Sequence, residues 1–384
     1  MKEVLLVSIG FSPNIGGVET HFDDLVDVLD KNGWKVWVLT YKPITTNVGA
    51  PFYEKRGRRI TIFRIPWFGK LFYKLVRIPA LEFLYLIPGL FIALPLFLIF
   101  KGSKLQLIDS HGLAAGFVSV FWGKIFGKKV ITTTHSIYDF PEKGLYRKFA
   151  TWIFGSSDRV LTLSKQSREE TISLGVPEEK IRVFTYWIDI NKFKRAINAR
   201  GKLWPKKKFV ALFIGRLVPE KGVGELLNAA RRWDKNITLA IAGTGPLEGK
   251  VKSAARKNLV YLGTVSQGRL PLYYSASDLL VVPSTHEEGF GRVILESLAC
   301  GTPVLASRRG AIPEAMDESV GKFIEISPNK IKEAVEYFYN NKDILSKLSK
   351  NCRSYAEKRY SERNSSLIIK VFSAIVSDDS NYKL

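Results

Sequence analysis

The sequence predicts an α/β fold built as two doubly wound domains, and three observations carry that expectation. The chain has 384 residues, more than one ordinary core accommodates. Apolar strand-like runs alternate with helical patterns in two separate stretches, the signature of parallel sheets with crossover helices. Between these stretches, residues 191–207 are basic, contain Gly201 and Pro205 and show no period, as expected of a connection between domains.

The first stretch opens with EVLLVSIGF, the turn SPNIGGVE, the helical pattern THFDDLVDVLDKNG and the strand-like WKVWVLTY, together a βαβ unit. Its turn brings Gly16 and Gly17 to a helix entry, where unpaired backbone N–H groups can meet a phosphate or a sugar; a flexible turn has the same spelling. From Lys55 to Lys104 ten basic residues stand against one acid, Glu82. Within that stretch Leu81–Phe100 is apolar and long enough to span a bilayer, yet it carries Glu82, Pro88 and Pro95. Three placements stay open: insertion at a membrane interface, a helix buried in the domain, and a true span. A span would put the Gly16 turn and everything after Phe100 on opposite sides of the membrane. The basic flanks favour an anionic lipid surface, so residues 66–104 are taken as a membrane-facing segment.

Two further strand-like runs, LQLIDSHG and KKVITTTHS, end at His111 and His135, with the helical AAGFVSVFWGKIFG between them. Ligand clefts open at strand ends in parallel sheets, which makes both histidines candidates for sugar contacts, although a lone histidine is more often structural. A helix at RKFATWIFGSSD and a strand at RVLTLS follow.

The second stretch begins at Lys208 with FVALFIG, then the segment Gly215–Gly222 (GRLVPEKG), helix VGELLNAARRW, strand NITLAIAG, helix KVKSAARK, strand LVYLG, helix RLPLYYSAS and strand DLLVVPS. Arg216 and Lys221 fall at the carboxyl edge of the first of these strands. Two cations there suit a diphosphate, or else belong to a solvated loop. Ser284–Val304 (STHEEGFGRVILESLACGTPV) follows: Glu288 and Glu296 bracket a turn at Gly289, Phe290 and Gly291 and the start of a helix that Gly301 and Pro303 end. The turn aims unpaired N–H groups and the positive end of a helix dipole forward, where a phosphate can sit. Glu296 lies one turn beyond Arg292 and could accept from a ribose diol. The alternative is that Glu288 caps the helix and Glu296 is solvated. Helical patterns fill the tail from Ile331 to about Ile375, and the last eight residues are polar and expected to fray.

The composition, 46% hydrophobic and 24% charged, is globular. A formal net charge of +22 asks for an anionic partner: nucleic acid, an anionic membrane or phosphorylated small molecules. No nucleic-acid recognition motif with interleaved aromatics accompanies the charge, so nucleic acid is not expected. Two cysteines, Cys300 and Cys352, make no disulfide framework, and the N-terminus lacks a cleavage-site pattern, so the cytoplasm is the expected compartment.

The string from Pro283 to Pro303 resembles the E-x7-E signature of the family four glycosyltransferases (glycosyl transferases group one), enzymes of the GT-B fold in which two Rossmann-like domains face each other across a cleft. Gly215–Gly222 is similar to that family's G-R-x-x-x-x-K-G motif, and Gly16–Glu19 to its GGVE loop. The resemblance implies a retaining glycosyltransferase moving a sugar from a nucleoside-diphosphate sugar to an acceptor hydroxyl. It implies that Arg216 and Lys221 bind the pyrophosphate, that Glu288, Gly289, Phe290 and Gly291 hold the sugar, that Glu296 binds the ribose, and that His135 contacts the sugar. Gly16, Gly17, Gly215 and Arg292 complete the expected donor site; Arg216, Lys221, Glu288 and His135 are its expected catalytic set. Where the family carries Asn-Gly, this chain has Tyr186 and Trp187, which leaves the hinge or acceptor side open. No two aspartates stand at i, i+2, so neither a metal nor another cofactor is expected.

The expected organisation is an acceptor-side domain at 1–190, a connection at 191–207, a nucleotide-sugar domain at 208–360, and a C-terminal helix within 361–384 that returns to the first domain. A peripheral position on the inner face of the cell membrane and a lipid-linked or saccharide acceptor are expected. Competing functions are a nucleotide-sugar epimerase of the same fold and a basic nucleic-acid binder.

Overall fold

A computed structural model describes residues 1–14, 16–46, 48–69, 75, 78–206 and 209–377. The chain divides into two units: Met1–Thr185 joined by the stretch from Asn364, and Tyr186–Arg363. The last helix, Ser365–Val376, therefore belongs to the first unit, where Phe372 meets Trp34 edge-on and Lys2 bonds Ser373. The tail expected to fray lies, from residue 378 onward, outside the described residues.

The first unit holds β1 (Glu3–Ser8), β2 (Lys35–Tyr41), β3 (Tyr53–Arg56), β4 (Ile60–Ile65), β5 (Leu107–His111), β6 (Lys129–Thr134), β7 (Arg159–Thr162) and β8 (Ile181–Val183). They form one sheet in the order β3-β4-β2-β1-β5-β6-β7-β8, parallel except for the β3–β4 hairpin. The second unit holds β9 (Phe209–Ile214), β10 (Ile237–Ala242), β11 (Leu259–Gly263), β12 (Leu279–Val282), β13 (Val304–Ser307) and β14 (Gly321–Ile324), all parallel in the order β11-β10-β9-β12-β13-β14. Helices cover both faces of a parallel sheet, so its inner strands are continuous apolar runs; β1 and β10 are buried at all six positions.

The basic stretch that begins at Lys55 opens in the β3–β4 hairpin, ahead of the segment 66–104 that was expected to face a membrane. Arg56 bridges Asp23 and Glu54 at 2.7 and 2.6 Å, Arg59 holds Asp30 at 2.7 Å, and Arg64, 1% exposed, meets Glu54 at 2.7 Å. These cations are partnered inside the unit. Lys70, Lys74 and Arg77 lie outside the described residues.

The segment 191–207 was expected to be a connection. Up to Lys206 it folds onto the second unit: Phe193 and Ala199 are buried, Arg200 pairs with Asp278 at 2.7 Å, and the helix Ala199–Leu203 lies against the helix Leu270–Ala276. Apolar anchors every few residues turn an aperiodic segment into packed structure.

The apolar run forms the helix Pro79–Lys101. Tyr85, Leu86, Leu90, Leu94, Phe97 and Leu98, spaced one turn apart, pack with Leu5, Leu39 and Tyr41 of the sheet and with the helix Leu113–Ile125. The opposite stripe is solvent-exposed, with Leu84 at 72% and Phe100 at 75%. Half of the helix is thus the buried helix of one alternative, and the other half is apolar surface.

Its prolines are accommodated by donors from outside the helix. Pro95 has no N–H for the carbonyl of Phe91, and the Trp122 indole donates to that carbonyl at 2.9 Å. Around Pro88 the ladder opens further. The Tyr41 hydroxyl donates to the Leu86 carbonyl at 2.6 Å and accepts from the Leu90 N–H at 2.9 Å, entering an i→i−4 bond, while the Trp67 indole takes the Tyr85 carbonyl. Only glycine fits at residue 89, because a Cβ there would lie 2.6 Å from the Tyr41 ring.

Tyr41→Phe strands two buried backbone groups and is expected to destabilise the protein by about 1–3 kcal/mol. Urea unfolding checks this, and an unchanged midpoint would contradict the inserted-hydroxyl account.

Candidate active site

In the second unit the carboxyl ends of β9 and β12 each release a loop, and the two loops bond to each other. Gly215 donates to Ala242, and the segment after it turns through Pro219–Lys221 to Gly222, at φ 68°. A Cβ on Gly222 would lie 1.8 Å from the Pro283 carbonyl oxygen, so this close backbone approach requires glycine. The Glu220 carbonyl then accepts from the Thr285 N–H and the His286 ring, each at 2.9 Å. Strand geometry and one glycine thus bring Lys221 to Glu288.

Glu288 is 7% exposed, and its carboxylate accepts from the Lys221 ammonium and the Ser284 hydroxyl, with His286 4.0 Å away. Burial alone would raise its pKa. Lys221, His286 and Ser284 outweigh burial and hold the carboxyl below the ordinary glutamate value. Arg216 is exposed, and its guanidinium makes no hydrogen bond or ion pair among the described residues.

The loop after β13 fixes the turn from behind. Gly310 donates to Glu287 at 2.5 Å, Ala311 donates to the Glu288 carbonyl at 2.8 Å, and Arg309 pairs with Glu287 at 3.4 Å. Gly310 sits at φ 55°, where a Cβ would come within 2.3 Å of the Glu288 carbonyl oxygen. Sequence reasoning passed over Glu287 and Gly310; the doubled acid and the Arg-Arg-Gly of SRRGAIP were the available signals.

Gly289 and Gly291 are half-buried, and Gly291, at φ 76°, is the N-cap of the helix Arg292–Ala299 without any side-chain cap. Glu288 therefore does not cap this helix. Nor is Glu296 solvated: it is 4% exposed, with the Arg292 Nε at 3.1 Å and the Tyr274 hydroxyl at 2.9 Å. Arg292 is buried as well and also reaches the Trp187 carbonyl at 3.3 Å. The expectation that Arg292 and Glu296 face a donor thus meets a buried i, i+4 pair behind the turn. Phe290 is buried edge-on against Tyr186 and Tyr360. Tyr186 and Trp187, the departure from Asn-Gly, are accordingly packing residues that support Phe290 and Arg292 within this unit.

In the first unit Gly16 caps the helix Gly17–Lys31 in extended conformation. The Glu19 carboxylate folds over it, and a Cβ on Gly16 would lie 2.3 Å from a Glu19 oxygen. An acid therefore lies beside Gly16 at the helix entry where a phosphate was expected to approach. His111 and His135 are brought together: Nδ1 of His111 lies 2.7 Å from Nε2 of His135, and Nε2 of His111 lies 2.8 Å from Asp109. Burial, and then His111, push the His135 imidazole well below the ordinary histidine value. Asp109 was missed, although its i, i+2 spacing from His111 on a strand puts both on one face.

Two α/β units with parallel sheets are the architecture of the GT-B fold, and the comparisons supply the family. Residues 15–192 match the family model described as Glycosyltransferase Family 4, and residues 194–359 match that of Glycosyl transferases group 1. The chain belongs to this family, the group 1 glycosyltransferases of family 4. A Methanocaldococcus jannaschii protein described as an uncharacterized glycosyltransferase is 28% identical over 90% of this chain and 94% of its own. A phosphatidylinositol N-acetylglucosaminyltransferase component from Arabidopsis thaliana is 25% identical over 87% of this chain and 73% of its own. Among solved structures, sucrose-phosphate synthase from Thermosynechococcus elongatus superposes with TM-score 0.81 at 21% identity, over 99% of this chain and 100% of that one. Anabaena HepE in complex with UDP-glucose superposes with TM-score 0.77 at 17% identity, over 97% and 100%.

The depressed Glu288 pKa fixes a sign. Ionised Glu288 contributes stability that is fully present above its unfolded pKa of about 4.3 and is lost as pH falls through the lower folded value. The stability gap between wild type and Glu288→Gln is expected to be constant at neutral pH and to shrink below about pH 4. Urea midpoints across that range measure it, and a gap that widens on acidification would contradict the assignment.

Proposed function

We propose that this glycosyltransferase transfers a sugar from a nucleoside-diphosphate sugar to an acceptor hydroxyl with retention of configuration and without a metal ion. The observation that carries the reading is the pair Lys221–Glu288, held where β9 and β12 end and ahead of the helix that Gly291 opens. Glycosyl transfer develops negative charge on the departing diphosphate. Lys221, Arg216 and the N–H groups after Gly289 supply preorganised positive ends for it, the work a bound cation does elsewhere. Glu288 holds the sugar and keeps Lys221 in place; ionised and already paired, it is poorly suited to act as a base. In the first unit, His135, with its pKa held well below the ordinary histidine value by burial and then His111, is a neutral hydrogen-bonding group. Retention follows the family resemblance, with the departing phosphate taking the acceptor proton. The UDP-glucose complex of HepE makes UDP-sugars the first donors to test.

The acceptor is proposed to be lipid-linked and the enzyme to sit peripherally on the inner face of the cell membrane. The outer stripe of the helix Pro79–Lys101 supports this, with Leu84, Ile92, Leu96, Ile99 and Phe100 exposed beside Lys101 and Lys104. An apolar stripe edged by cations suits an anionic lipid surface. Burial pushes Glu82, at the start of the helix, up to about 7, which lowers the cost of bringing a carboxyl against an apolar phase.

Lys221→Ala and Glu288→Ala are each expected to lower transfer by about 100-fold or more in an assay containing chelator, with the wild type active in the same buffer. Near-wild-type turnover by either folded variant would sink the site, and wild-type activity that requires added magnesium would sink metal independence. In flotation the protein is expected to rise with anionic liposomes and to retain most of its bound fraction at high salt, whereas Ile92→Asp with Phe100→Asp stays below. Failure of the wild type to float would return the stripe to plain solvent-exposed surface.

A further inference from the structure

Beside the Lys221–Glu288 pair stands a further ionisable ring, that of His286, between the loops after β9 and β12. Its Nδ1 lies 2.9 Å from the Glu220 carbonyl, which also accepts from the Thr285 N–H at 2.9 Å. A carbonyl oxygen only accepts, so Nδ1 carries a proton and donates it. Nε2 is then the atom at which the ring gains or loses a second proton, and it faces Oε2 of Glu288 at 4.0 Å. The His286 side chain is 38% exposed, so that proton exchanges with solvent.

The two oxygens of Glu288 are not equivalent. Oε1 accepts from both the Lys221 ammonium and the Ser284 hydroxyl, whereas Oε2 takes no hydrogen bond among the described residues and has Nε2 of His286 before it. A neutral ring turns a lone pair toward that oxygen and gives it nothing. An imidazolium turns an N–H and a positive charge toward it and is drawn onto it. The other charged groups around the ring are Glu220 and Lys221 of the loop after β9 and Glu287 of its own loop, which Arg309 of the loop after β13 holds at 3.4 Å. Burial would raise the Glu288 pKa, but Lys221 and His286 hold it below the ordinary glutamate value, so Glu288 stays ionised above that value. Among these residue types only histidine changes charge between about pH 5 and 8. We propose that His286 is a positioning residue that governs Oε2 of Glu288: neutral, it leaves that oxygen to accept from a hydroxyl of the donor sugar, and protonated, it takes the oxygen for itself and weakens sugar-nucleotide binding. The sugar step rests on the function proposed above; the placement of the proton on the ring does not.

The ring is read first without any ligand, by nitrogen-15 NMR of the full chain labelled at histidine, with the four histidines assigned by single substitutions. At about pH 8.5, above the ordinary histidine range, His286 is expected as Nδ1–H, and Nε2–H there overturns the proposal. Calorimetric titration of UDP-glucose at about pH 8 and about pH 5.5 then compares the wild type with His286→Asn, whose amide can still donate to the Glu220 carbonyl, and with His286→Gln as a second neutral variant. On acidification the wild type is expected to lose about tenfold more affinity than either variant, the factor that one pH unit below the ordinary histidine value imposes on binding to the neutral form. With UDP, which has no sugar, all three proteins are expected to change alike, so that ionisation of the nucleotide itself cancels. Equal losses of UDP-glucose affinity in wild type and variants overturn the proposal, and so does an excess loss that UDP shares. Absence of UDP-glucose binding by all three at pH 8, with His286 found as Nδ1–H, overturns instead the donor reading and the sugar step that rests on it.

Discussion

The ion pair between Lys221 and Glu288 is the constraint on which the second unit's functional surface is arranged. A buried carboxylate without a partner is costly, and here the partner comes from a different loop. The two loops must therefore approach at backbone distance, which is why Gly222 lies against the Pro283 carbonyl. The turn must also be rigid enough to hold the pair, and Gly310, Ala311 and Arg309 grip it from the β13 side. Breaking either partner leaves the other charge in a desolvated place, so position and charge are set together.

A second buried pair does quieter work. Arg292 and Glu296, joined by the Tyr274 hydroxyl and the Trp187 carbonyl, tie the first turn of the helix to the segment that enters the unit. Phe290, wedged between Tyr186 and Tyr360, fixes the same turn through apolar contact. The glycines on either side of Phe290 are then presented by a frame that has little freedom to shift. In this arrangement the Lys221–Glu288 pair lies ahead of the helix, while Arg292 and Glu296 hold the helix that carries the turn.

Much of the fold was legible because parallel strands buried on both faces spell unbroken apolar runs, and because Gly-Phe-Gly and Gly-Arg-x-x-x-x-Lys-Gly punctuate strand ends. The β3–β4 hairpin was not, since Tyr-Glu-Lys-Arg carries charges whose partners, Arg64 for Glu54 and Asp23 for Arg56, lie on other elements. The helix Pro79–Lys101 was legible as a helix, but its relation to the domain was not. Its two prolines look like interruptions until Trp122 is seen to bond the carbonyl that Pro95 frees, and Trp67 and Tyr41 to bond the Tyr85 and Leu86 carbonyls beside Pro88. At the candidate site the residue types were legible and the pairings were not. Lys221 and Glu288 were expected to meet different parts of one ligand, and they meet each other. Asp109 was passed over although its i, i+2 spacing from His111 on a strand was in the sequence.

The central claim is that Lys221 and Glu288 act on a nucleoside diphosphate as one unit rather than as two independent groups. Calorimetric titration of UDP into the wild type, Lys221→Ala, Glu288→Ala and the double variant tests it most directly. The account predicts strong non-additivity, with a coupling free energy of about 1 kcal/mol or more and the double variant little weaker than Lys221→Ala alone. Losses that simply add would contradict it.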